Sequence, residues 1–131
     1  MCLDFRVVLP RGSKGKLSSK RLATLSGLHV TGTRTDDGCS AFHFAADPGC
    51  SCGLLAAQFQ VGAAAWPLTP VATSGLVKAL QAVATACPSF TLSSAWLGAE
   101  AAPARSSVRL SEVLQELRTG TLKANLLRQV Q

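Results

Sequence analysis

The sequence predicts a single α+β domain spanning residues 1–131, and three observations carry that prediction. Residues 2–9 alternate apolar and polar side chains as a strand does. Residues 28–46 hold two more alternating runs joined by Asp36-Asp37-Gly38. From Thr69-Pro70 onward, apolar residues recur at helical spacing as far as Cys87.

In the first element, Leu3, Phe5, Val7 and Leu9 share one face and Asp4 and Arg6 the other, with Pro10 closing the strand. Arg11 to Lys16, RGSKGK, is a glycine-rich basic loop, and Ser18 or Ser19 caps a short helix that runs through Leu25 to Gly27. The stretch from Leu28 to Gly53 then holds both histidines and three of the five cysteines.

Its register follows from the side chains, because slipping a strand by one residue turns every side chain to the other face. A three-residue loop with Gly38 in the left-handed position pairs Thr35 with Cys39 and sets Leu28, Val30 and Gly32 beside Ala46, Phe44 and Phe42. That is one coherent apolar face. A two-residue loop would place the phenylalanines beside Thr31 and Thr33 instead. In the preferred register the opposite face carries His29, Thr31, Thr33, Ala41, His43 and Ala45, which makes His29 and His43 diagonal cross-strand neighbours.

Asp47-Pro48-Gly49 makes a turn into Cys50-Ser51-Cys52-Gly53. Residues 54–66 satisfy neither period and read as irregular or partly helical. The helix opened by Thr69-Pro70 carries Leu76, Val77, Leu80, Val83, Ala84 and Cys87 and stops at Pro88. Phe90, Leu92 and Trp96 alternate along a strand whose other face is Thr91, Ser93 and Ala95. Residues 98–107 read as a loop, Ser111 as the cap of a third helix with Val113, Leu114 and Leu117, and residues 121–131 as a last strand or a frayed extension.

Strand, helix, strand, strand, helix, strand is the order of a ferredoxin-like βαββαβ sandwich, here with a C-terminal helix and a possible extra strand. Both main helices then cover one sheet face. The other face, bearing Arg6, His29, Thr31, His43, Thr91 and Ser93, is left open unless the C-terminal helix or a second subunit covers it.

Composition bounds the function. A chain of 131 residues buries roughly two thirds of its unfolded surface as one domain. The most apolar stretch, Gly53 to Trp66, is interrupted by Gln58 and Gln60 and falls short of the about 20 residues a membrane span needs. The first residues, MCLDFRVVLPRG, contain no apolar run of signal-peptide length, and five cysteines (Cys2, Cys39, Cys50, Cys52, Cys87) form an odd set, which together point to reduced thiols in a cytoplasm. The net charge of +6 is local: residues 1–34 hold seven of the 13 basic residues and Asp4 alone among the acids, whereas the remainder balances to zero.

Three candidate sites emerge. The leading one is the sheet face with His29, His43 and Thr31, as a surface for a partner protein or a second copy of the chain; Asp47 is the acid the sequence offers near the histidines. The second is Cys50 and Cys52, whose thiols in a tight turn can share zinc or another soft metal, or form a redox pair, though the spacing is not Cys-x-x-Cys and small buried cysteines packing a tight turn are the simpler reading. The third is Arg11, Lys14, Lys16, Lys20 and Arg21, which can hold an anion or nucleic acid; the glycine spacing is not that of a phosphate-binding loop, and Phe5 is the one aromatic nearby. Trp66 and Trp96 are expected to anchor the core or an interface. With no serine-elbow, zinc-protease or dinucleotide motif present, the expectation is a non-enzymatic binding or self-assembly domain that needs no cofactor.

Overall fold

The computed structural model describes residues 2–13, 17–56, 65–97 and 102–131. The chain is mixed α+β, with three α-helices and a six-stranded sheet among the described residues. In chain order these are β1 (Cys2–Val8), α1 (Ser19–Ser26), β2 (His29–Arg34), β3 (Ser40–Ala45), a 3-10 turn (Ser51–Leu54), β4 (Ala65–Pro67), α2 (Pro70–Ala86), β5 (Phe90–Leu97), β6 (Ala104–Val108), α3 (Leu110–Arg118), β7 (Thr121–Lys123) and β8 (Leu126–Val130). The main sheet runs β2-β3-β1-β5-β8-β6, and β4 pairs with β7 in a small second sheet.

β1 sits at the centre because its alternation is the cleanest in the chain. Leu3, Phe5, Val7 and Leu9 all lose essentially all contact with solvent. β3 and β5 flank β1, both antiparallel. The hairpin takes the expected register: Val30 opposes Phe44, Gly32 opposes Phe42 and Thr31 opposes His43. Its turn is closed by Thr35 N–H on the Cys39 carbonyl at 2.9 Å, with Gly38 at φ +80° where a side chain would be strained. Phe42 and Phe44 are therefore buried, and Phe44 meets Phe5 edge to face with ring centroids 5.9 Å apart.

All three helices pack on this same face. Leu22 of α1, Leu76, Leu80 and Val83 of α2, and Val113, Leu114 and Leu117 of α3 form one core with the sheet's aromatic and branched residues. Full burial of each such side chain contributes about 1.5–3 kcal/mol. α2 packs against both α1 and α3. At α1 the cap is Ser18, whose hydroxyl accepts from Arg21 N–H at 3.1 Å, and Gly27 ends the helix in the left-handed conformation. At α2, Thr69 accepts from Ala72 N–H at 3.2 Å, as its sequence predicts.

Several expectations change. The third helix begins two residues earlier than a Ser111 cap implies: Arg109 is the cap residue, and Glu112 accepts its backbone N–H at 3.2 Å. The segment expected as a loop contains β6, an edge strand paired parallel to β8. ARSSV lacks apolar alternation because four of its five side chains are exposed. Residues 121–131, open between strand and frayed end, contain two strands, and the irregular stretch ends in β4. There Trp66 is fully buried and stacks edge-on against Trp96, so both tryptophans anchor the core.

Candidate functional site

The face of the sheet turned away from the helices can be read directly from the strand register. One row crosses all six strands as Thr31, His43, Arg6, Ser93, Leu127 and Arg105. The row beside it runs Thr33, Ala41, Val8, Thr91, Gln129 and Ser107, and on the other side lie His29, Ala45, Asp4 and Ala95. The surface is small-residued and polar, with His29 and Thr31 exposed and His43 half-buried. His29, Thr31 and His43 thus share one face, as their spacing in the hairpin requires, and Thr31 Oγ1 lies 3.4 Å from His29 Nε2.

The carboxylate that meets His43 is Asp4 of β1, not Asp47 of the following turn. Asp4 Oδ1 lies 3.1 Å from His43 Nε2, while its Oδ2 lies 3.2 Å from Arg6 Nη2. Because Arg6 opposes His43 across the ladder, Asp4, two residues away on the same face, is the diagonal neighbour of the imidazole. Only the pairing of β1 with β3 puts them together. The alternation of Asp4 with Leu3 and Phe5 was the available signal, since it fixes the carboxylate on this face.

Ser51 completes the cluster from the 3-10 turn. Its Oγ lies 3.2 Å from His43 Nε2, donates to the Phe44 carbonyl at 2.6 Å and accepts from Phe5 N–H at 2.8 Å. Serine, histidine and aspartate are thus in contact, but not as a hydrolase triad. In that machinery the carboxylate holds one ring nitrogen and the serine is activated by the other. Here both approach Nε2, and the serine's only proton is spent on a backbone carbonyl. Ser51 is also fully buried. An Nε2–H shared between Asp4 and Ser51 satisfies all three groups, and the neutral imidazole supplies it.

Cys52 plays a parallel part, its Sγ accepting from Leu3 N–H at 3.2 Å. β3 pairs with β1 no further than Phe5, so beyond that point two side chains of the turn take up β1 donors that would otherwise be buried without acceptors. Cys50 and Cys52 are both half-buried here. Among the described residues, no three His, Cys, Asp or Glu side chains gather as metal ligands. Of the basic candidates, Arg11, Lys20 and Arg21 are exposed, the last two on α1, and Lys14 and Lys16 lie outside the described residues.

Burial lowers the pKa of His43 below the ordinary 6.5; Asp4 opposes this by favouring the imidazolium, while Arg6 and His29 reinforce it. The folded chain therefore binds fewer protons at this ring than the unfolded chain does in mildly acidic solution. The associated stability is complete above 6.5 and is lost as the pH falls through that value toward the lower folded pKa. Urea unfolding across this range is expected to show that decline, and His43→Gln to flatten it; an identical profile in the variant would assign the decline to other groups.

Among the described residues, no helix is long and apolar enough to cross a membrane. Comparison of the chain with protein-family models, with curated proteins and with solved structures finds no match.

Proposed function

We propose that the protein is a non-enzymatic cytoplasmic domain of ferredoxin-like wiring that assembles with a second copy of itself through the helix-free face of its sheet. The wiring is supported by β2-β3-β1-β5, in which α1 joins β1 to β2 and α2 joins β3 to β5, with β8 and β6 as an extension of that unit. The observation that carries the functional reading is the one-sidedness of the sheet. All three helices pack on one face, and six strands present the other.

That face suits a like surface. Ala41 and Ala45 are small and Val8, Ala95 and Leu127 are half-buried, so a second sheet can approach to the roughly 10 Å of face-to-face packing. The Arg6 charge on it is already offset by Asp4 at 3.2 Å within each copy, so a like surface meets no uncompensated charge at that point. Catalysis has no place in this reading, because the Ser51 hydroxyl proton is committed to backbone.

Size-exclusion chromatography with light scattering tests it. A dimer mass is expected, reverting to monomer in Leu127→Glu, which puts a charge on the apolar part of the face next to the β6 edge. A strict monomer at the highest attainable concentration would overturn the proposal.

A further inference from the structure

The helical side of the molecule carries a second surface, unrelated to the sheet face. α2 is bordered by two depressions. One, of about 680 Å³, lies between the first half of α2 and the end of α3. The other, of about 490 Å³, lies between the second half of α2 and α1. Lys78 and Gln81 line both, so the two adjoin along the exposed side of α2 as one shallow trough-like surface between α3 and α1.

Its chemistry is one-signed. Arg118 stands at one end, Lys78 in the middle and Arg21 at the other end, and no acidic side chain is among the described residues lining either depression. All three cations are exposed. None of them enters an ion pair among the described residues. Between the charges the floor is apolar: Val77 in the first depression, Ala82 and the 40%-exposed Leu25 in the second. Three cations in a row over apolar side chains match a ligand with carboxylates spaced along an apolar stripe.

We propose that this trough docks an acidic amphipathic helix of a partner protein, its carboxylates meeting Arg118, Lys78 and Arg21 in turn and its apolar residues resting on Val77, Ala82 and Leu25. Helix-in-groove recognition works in this way. The shape argues for polypeptide over the other anionic surfaces. A bilayer meets a broad row of projecting apolar side chains, whereas Val77 and Ala82 here are half-buried and Leu25 alone of the three is exposed. Single-stranded nucleic acid stacks its bases on aromatic rings, and no aromatic side chain is among the described residues lining the trough.

The test uses the full chain and a fluorescein-labelled amphipathic peptide of Leu and Glu, about 16 residues or roughly 24 Å long as a helix. Fluorescence anisotropy is expected to show binding that weakens with salt, and the same peptide with Gln in place of Glu is expected not to bind. The triple variant R21E/K78E/R118E should bind at least about tenfold more weakly, since three exposed pairs of ordinary strength together amount to that factor. R105E/R109E/K123E makes the same change in net charge outside the trough and should bind as the parent does; circular dichroism checks that both variants fold. Absence of binding, equal binding of the Gln peptide or an equal loss in the control variant would each overturn the proposal. So would preferential binding of phosphatidylglycerol vesicles or a single-stranded oligonucleotide that the trough variant abolishes, because the occupant would then be of another class.

Discussion

Glu116→Ala is expected to lower the unfolding free energy by about 3–5 kcal/mol, a large part of the stability of a domain this size. Glu116 on α3 grips Arg128 on β8 through two hydrogen bonds, Nη1 to Oε2 at 2.7 Å and Nη2 to Oε1 at 3.1 Å. The two side chains are 9% and 3% exposed, so removing the carboxylate leaves a guanidinium buried on the core side of the sheet without its counter-charge. Glu116 Oε1 also accepts Lys123 N–H at 2.6 Å, which ties β7 to the helix. The double replacement E116L/R128M should recover most of the loss, since an apolar pair of similar volume needs no desolvation of charge. A residual deficit of about 1 kcal/mol is expected from the orphaned Lys123 N–H. Urea unfolding of both variants checks this. A loss under about 1 kcal/mol in Glu116→Ala would mean that water reaches the pair.

Gly75→Ala is the second large effect, and it runs against helix propensity. In an exposed helix the change would stabilise by up to about 1 kcal/mol. Here a Cβ at Gly75 would stand 2.4 Å from the Ser26 carbonyl oxygen and 3.1 Å from two carbons of Leu28. The oxygen belongs to backbone at the end of α1, so no rotamer change relieves the clash, and α2 must move off the α1–β2 corner. A net loss of about 2 kcal/mol is expected, with the thermal midpoint falling by roughly 6–10 °C. Truncating Leu28 in the same chain should not rescue it, because the carbonyl remains. A variant as stable as the parent would show that the two helices are not held at this distance.

Both effects rest on contacts that local pattern conceals. Arg128 lies in a strand between Leu127 and Gln129 and reads as an ordinary polar position until α3 supplies its partner twelve residues away. Gly75 sits inside a clear helical run, where its own neighbours give no reason for it. Ser94 belongs with them: it occupies a core-facing position in β5, and its hydroxyl is satisfied by the Lys123 carbonyl at 2.7 Å.

What the chain determines by itself is whatever repeats within one element. The alternation of β1, the register of the hairpin, the inward phenylalanines, the outward histidines and the caps at Ser18 and Thr69 all follow from side-chain periods and turn chemistry, which act over a few residues. Only the tertiary structure decides which distant groups meet. It joins β6 to β8 although ARSSV shows no period, brings Asp4 rather than Asp47 to His43, and turns Ser51 and Cys52 into acceptors for β1. The physical reason is that an edge strand and a cross-strand polar cluster draw their stability from partners elsewhere in the chain, so their own residues need carry no pattern.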